Sequence, residues 1–318
     1  MRTTQSIISM ILCIVCLIIA SFGHAETAFS ADKLVSEERS AAIEKIADLI
    51  AEGYVLPKVG EHVTYALLDA QKQGQFSHIN SKKLFIEKVG EFLRIKSKDG
   101  HLGLTPMRSD KKVTHILQEH DEKRINNFAF EQATILPGNI GYLKFNKFHP
   151  DAQAKQVANY ALNFLSSTSR LIIDLRECTG GSMELVAHII SHFVKDKTHL
   201  WDLYDRDKLV YRVDSYMVTA EPRLQDIPIT ILTSEKVISA AEFFTYTLKY
   251  LNRARIVGVK TQGLAHATGV RQVNDWLVLR LPLMRPVNPV TKTNWEQVGV
   301  KPDIVIGKDQ ALAWALAN

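Results

Sequence analysis

The chain has 318 residues, 46% hydrophobic and 23% charged, with a formal net charge of +5. That balance suits a folded globular protein and excludes a disordered or fibrous chain. The basic excess is scattered through mixed clusters such as Lys111-Lys112 and Asp121-Glu122-Lys123-Arg124, with no stripe of interleaved aromatics, so nucleic acid is not an expected partner.

Residues 1–25 read as a signal peptide. Arg2 supplies the positive start, residues 7–20 form an apolar stretch too short to span a bilayer, and Gly23-His24-Ala25 offers small residues before a cut. The expected mature chain starts near Glu26, is exported, and has no membrane span after signal removal. Cys13 and Cys16 leave with the signal, and neither follows the small residue that a lipoprotein site requires. Cys178 then remains alone, so no internal disulfide can form.

Residues 26–98 are expected to make a small helical bundle. Helical periods run over 41–51, 59–73 and 81–95, with Gly53, Gly74 and Asn80 as turns. Residues 99–318 read as an α/β core. Strands at 141–145, 171–174, 228–233 and 254–258 alternate with helices at 152–165, 183–194 and from Ser239 onward. Hairpins are expected over 200–220 and 270–283, and a terminal helix over 310–316.

Four stretches carry candidate chemistry. Asp99-Gly100-His101 is a tight turn displaying a histidine, the side chain whose intrinsic pKa suits general base work. Asp174-Leu-Arg-Glu-Cys178-Thr-Gly180-Gly181 runs from a strand into a glycine turn, where backbone amides can face a substrate oxygen closely. Ser239 sits where a strand hands over to a helix, beside free amides that could stabilise an oxyanion. Ser239-Ala-Ala-Glu242 is equally the wording of an ordinary capping box. Glu296, in Glu296-Gln-Val-Gly299-Val-Lys-Pro302-Asp303, could orient a histidine or be a solvated surface carboxylate. Glu184, His188 and His192 fall four apart on one helix, but the zinc-protease wording is absent, so neither a metal nor a cofactor is expected.

Taken in order, these stretches resemble the tail-specific protease superfamily, in the branch of the tricorn core and interphotoreceptor retinoid-binding protein. Asp99 to His101, Asp174 to Gly181, Ile238 to Glu242, Gly263 to His266 and Glu296 to Asp303 match its motifs in sequence. The resemblance implies a crotonase- and Clp-like β-β-α spiral behind the helical bundle, and a bacterial, periplasmic or secreted serine peptidase acting through an acyl-enzyme on a peptide or protein substrate. It implies Ser239 as nucleophile, His101 as general base and Glu296 as its orienter, with Gly180, Gly181 and Ala240 in the oxyanion hole. Cys178, Gly263, Leu264 and His266 would edge the substrate cleft, with His266 as second choice for the base.

The chain departs from the family in places. Where the Ser–Lys processing proteases carry their lysine, this chain has Leu264, and Lys260 is out of register. No stretch resembles their PDZ domain. Gly100 stands for the serine that precedes the tricorn histidine, Cys178 for an asparagine, and Leu264 for a glycine. These changes keep a rival in view, an inactive protein binding apolar ligands or peptides on the same fold. A crotonase-like thioester hydrolase is a weaker third reading.

Overall fold

The computed structural model describes residues 32–107, 126–217 and 224–318. The expected signal segment, the Lys111-Lys112 and Asp121–Arg124 clusters and the end of the 200–220 hairpin lie outside the described residues. Three N-terminal helices come first: α1 (Ser36–Gly53), α2 (Pro57–Lys72) and α3 (Lys82–Ser97). On α1 the buried residues Ala42, Ile43, Ile46, Ala47 and Ile50 recur at helical spacing and make one apolar face. Pro57 opens α2 at a position where its missing amide costs nothing. Ser81 caps α3 by accepting from Leu84 N at 3.3 Å, and the helix stops at Lys98, which adopts a left-handed φ of 55°. That stop delivers Asp99 and His101 directly to the body of the protein.

The apolar face of the bundle does not close on itself. Its buried set includes Leu277, Leu279 and Leu281 together with Leu102 and Leu104, so helices and sheet share one core. These leucines come from β1 (Gly103–Pro106), the 102–103 turn before it and β10 (Leu277–Val287), which pair antiparallel. β10 also pairs with β9 (Ala267–Gln272) and with β5 (His199–Asp205), and β5 pairs with β6 (Lys208–Asp214). This second sheet thus runs from the bundle to the middle of the chain.

The larger sheet has six strands in the order β11-β8-β7-β4-β3-β2. Its members are β2 (Phe130–Leu136), β3 (Ile140–Phe145), β4 (Arg170–Asp174), β7 (Ile229–Thr233), β8 (Ala254–Gly258) and β11 (Ile304–Val305). β2 is antiparallel to β3, and all the other pairs are parallel. Helices α4 (Gln153–Phe164), α5 (Met183–Ser191), α6 (Ala240–Tyr250) and α7 (Lys308–Ala317) pack around it. Strands covered on both faces must be apolar throughout, which is why 171–173 and 229–233 read as aliphatic runs. The expected α/β core behind N-terminal helices is what the chain adopts.

Register decides where the site lies. β4 and β7 are parallel neighbours, with Asp174 opposite Leu232. The Gly180-Gly181 turn follows β4 and Ser239 follows β7, so both leave the sheet at the carboxyl ends of adjacent strands. That is the position where parallel α/β sheets present ligands and reacting groups.

Leu279 is fully buried between bundle and sheet. Leu279→Ala should lower unfolding free energy by about 2–5 kcal/mol, because the vacated volume cannot collapse in a shared core. Urea unfolding should remain one transition by circular dichroism and by tryptophan fluorescence. A helical signal lost separately would show that the bundle folds independently of β10.

Candidate active site

β7 ends at Thr233, and the chain turns through residues 234–238 before entering α6 at Ala240. Ser239 lies on that turn with φ 55° and ψ −122°. An ordinary helix cap has an extended backbone, as Ser81 does at −129° and 135°. A serine forced to positive φ is strained by about 1–3 kcal/mol, which occurs where the surroundings over-determine an exposed nucleophile. The capping box anticipated at Ser239 is therefore only part of the description. The box itself is present, with the Ser239 side chain toward the Glu242 amide and Ser239 N donating to Glu242 Oε2 at 2.9 Å.

Glu242 does much more than cap. It is completely buried and accepts four hydrogen bonds, from Ser239 N, from Thr261 Oγ1 at 2.6 Å, and from the amides of Gly263 at 2.6 Å and Leu264 at 2.8 Å. Burial pushes its carboxyl up to about 7 against the pull of those donors. Thr261 Oγ1 in turn accepts from Val300 N at 2.7 Å. One carboxylate thereby joins the nucleophile turn, the 261–264 loop and the C-terminal Glu296–Val300 segment. Sequence reasoning singled out Glu242 only as a cap.

The glycine turn packs onto the serine. Gly180 (φ 85°) lies so close that an added Cβ would come within 2.8 Å of Ser239 Cβ and 3.0 Å of Ala240 N. A Cβ on Gly181 (φ 135°) would meet Phe148 O at 2.0 Å. Phe148 holds the turn, donating from its amide to Gly180 O and accepting from Ser182 N. Gly181, Ser239, Ala240 and His266 share a cavity of about 160 Å³, whose floor includes Met183 and Phe243. Ala240 N is the first amide of α6 and has no acceptor within the helix.

His266 is the histidine brought to that cavity. It is buried, and its Nδ1 bonds Asp99 Oδ2 at 2.7 Å and lies 3.7 Å from Glu296 Oε2. Burial would lower its pKa, but the Asp99 hydrogen bond and the two carboxylates outweigh it and raise the group above 6.5. Asp99 is buried as well. Bonds from His266, from His101 N at 2.8 Å and from Tyr54 Oη at 2.9 Å hold it ionised, below the usual carboxylate range, despite burial. Glu296 accepts from Ala265 N at 2.6 Å, and burial pushes its carboxyl upward.

His101 is not among the residues lining the cavity. Its ring is buried 4.0 Å from Asp99 Oδ1, its Nδ1 has no hydrogen-bond partner, and burial takes it down to about 4. The D-G-H turn thus reaches the site through its aspartate.

The other expected positions sort as follows. Gly263 (φ 93°) sits against the backbone of 297–299, where any side chain would collide, and so locks the loop. Leu264 faces Gly100, where an added Cβ would come within 2.7 Å of Leu264 Cδ2. Two of the departures from the family pattern are therefore in contact, and a side chain at 100 would require the Leu264 side chain to shift. Cys178 is fully buried in the core with its thiol pushed up to about 12, and it does not reach the cavity. In the Asp174-Leu-Arg motif, Asp174 bonds Arg176 and Tyr142, and Arg176 reaches Lys308 O, so these charges tie the sheet to α7. Glu184 pairs with Lys155, whereas His188 and His192 both bond Asn159 Oδ1, so this trio does not converge on one point.

The profile of peptidase family S41 matches residues 139–306, and that of the N-terminal domain of peptidase S41 in eukaryotic IRBP matches residues 27–134. A "Probable CtpA-like serine protease" of Staphylococcus aureus is 25% identical over 177 residues, 53% of this chain and 34% of that protein. A carboxyl-terminal-processing protease of Picosynechococcus is 24% identical over 176 residues, 54% of this chain and 40% of that protein. The chain thus spans less than half the length of these relatives. The photosystem II D1 C-terminal processing protease shares the fold, with a TM-score of 0.54 at 13% identity over 87% of this chain and 94% of that one. With the family profile covering residues 139–306, more than half of its length, the chain belongs to peptidase family S41.

Proposed function

We propose that this chain is an exported serine peptidase that cleaves peptide bonds through an acyl-enzyme formed on Ser239. The observation that carries this reading is Ser239, held at positive φ, sharing a small cavity with a histidine whose far nitrogen is bonded to a buried carboxylate. In this reading His266 is the general base and Asp99 its orienter, with Glu296 as a second carboxylate behind the ring. His101 and Glu296, the pair implied by the family motifs, are the competing assignment.

Each step follows from groups already described. His266 Nε2 takes the proton of Ser239 Oγ as the oxygen attacks the substrate carbonyl, and Asp99 stabilises the imidazolium that forms. Amides of Gly181 and Ala240 receive the developing oxyanion. The imidazolium then protonates the leaving amine, and water, activated by the same ring, releases the acid. Glu242 keeps the serine turn and the histidine loop in fixed relation. A cavity of about 160 Å³ is smaller than the roughly 300–1,000 Å³ of sites that enclose small ligands, which weighs against an apolar-ligand carrier using it.

A fluorophosphonate probe tests the proposal. The wild type should label covalently, Ser239→Ala should not, and His266→Ala should label about 10²–10⁴-fold more slowly. His101→Ala should keep most of the rate; the reverse ranking of the two histidines would return the base to His101. A folded wild type that never labels would favour the binding-protein reading.

The labelling rate should also rise with pH through an inflection above 6.5, because His266 must be neutral to accept a proton and its carboxylate partners hold that proton. A base with the properties of His101, at about 4, would leave the rate flat across the neutral range.

All four partners of Glu242 are donors, so the amide group of a glutamine there would face an N–H or O–H. Glu242→Gln should cost about 1–3 kcal/mol of stability in urea unfolding and slow labelling in the fraction that remains folded. Unchanged stability and rate would remove Glu242 from the account.

A further inference from the structure

Asp99, His266 and Glu296 each offer a ligand atom, and these atoms all lie within 4.8 Å of one another. Zinc takes imidazole nitrogen and carboxylate oxygen at about 2.0–2.2 Å, and tetrahedral geometry then separates neighbouring ligand atoms by roughly 3.4 Å. The two separations measured from His266 Nδ1 are 2.7 Å to Asp99 Oδ2 and 3.7 Å to Glu296 Oε2, which bracket that value. The remaining pair, Asp99 and Glu296, lies within 4.8 Å, so the carboxylates would draw in on an ion by side-chain movement.

Two further observations point to a cation rather than to a closed structural cluster. Buried polar atoms normally have partners, yet His101 Nδ1 and Glu296 Oε1 are buried without one, and both belong to side chains about nine-tenths buried at this cluster. Local charge favours a cation as well. Two carboxylates face two imidazoles, those of His266 and His101, and among the described residues no lysine or arginine ion pair reaches Asp99 or Glu296. The Arg280 guanidinium spends its hydrogen bonds on His101 O and Gly100 O.

We propose that Asp99, His266 and Glu296 form a binding site for a divalent transition-metal cation of the zinc class, and that its occupancy switches Ser239 off. The ion takes the Nδ1 lone pair of neutral His266, and the one ring proton passes from Nδ1 to Nε2 by exchange with solvent. With Nδ1 on the cation and Nε2 protonated, the ring has no free lone pair to accept the Ser239 proton, so it no longer serves as a base. The switching half of the proposal rests on the reading of His266 as base; the binding half rests on the ligand geometry alone.

The test uses the full chain stripped with EDTA and titrated with zinc chloride by calorimetry, with fluorophosphonate labelling run alongside. We expect one equivalent of zinc to bind, binding to weaken by at least about tenfold in Glu296→Gln and in Asp99→Asn, and His192→Ala, which removes a histidine outside the site, to bind as the wild type does. Saturating zinc should slow labelling of the wild type at least tenfold, EDTA should restore it, and zinc should raise the melting temperature of the wild type more than that of Glu296→Gln. If Asp99→Asn fails to fold, Glu296→Gln decides alone. Absence of zinc binding, or binding untouched by Glu296→Gln, overturns the site. Undiminished labelling at saturating zinc overturns the switch. A stripped wild type that binds zinc in this way but never labels would overturn the serine peptidase reading and leave the metal site standing.

Discussion

The buried carboxylate of Glu242 is the interaction on which the arrangement around Ser239 depends. A carboxylate with no exposure is costly unless its lone pairs are met, and here four donors meet them. Those donors come from three places in the sequence: the Ser239 turn, Thr261, and the Gly263-Leu264 amides. Because each donor needs the same two oxygens, none of these segments can move without leaving part of the charge unpaired. His266 follows Leu264 by two residues, so the imidazole inherits its position from the same carboxylate.

A second tier of constraint comes from close backbone approach. Gly180, Gly181, Gly263 and Gly299 occur where a side chain would overlap backbone or the nucleophile itself, at positive φ throughout. Such positions hold the loops at fixed separation by close backbone packing as well as by hydrogen bonds. Strain at Ser239 can be stored only because the surrounding loops are held in this way. The pairing of Leu264 with Gly100 belongs to the same logic, since one larger side chain is accommodated by losing another.

The bundle is tied to this site twice. Its helices share their core with β10, and its last helix ends at Lys98 so that Asp99 reaches His266 across the body of the protein. Tyr54, at the end of α1, bonds the same aspartate. A segment that looks in sequence like a separate helical domain thus supports, through Tyr54, the aspartate that begins the core and bonds His266. This explains why a cluster of carboxylates and histidines, capable of holding a proton or a cation, forms only when bundle, loop and C-terminal segment come together.

Sequence alone determined much of this. Helical periods over 41–51, 59–73 and 81–95 and the aliphatic runs at 171–174 and 228–233 fall within the observed elements or overrun them by one residue, because burial of one face or of both leaves a direct pattern in composition. The strand-to-helix serine and the adjacent glycine turn were legible for the same reason, being local features of parallel strand ends. Partnership among distant side chains was not legible. Asp99, His101, His266 and Glu296 all carried chemistry on paper, but which histidine faces Ser239 depends on how the 264–267 loop crosses the 99–101 turn. The burial of Glu242 and the packing of Leu264 against Gly100 are likewise contacts between segments far apart in the chain. Local spacing encodes which face of an element is buried; only the tertiary structure decides which buried groups meet.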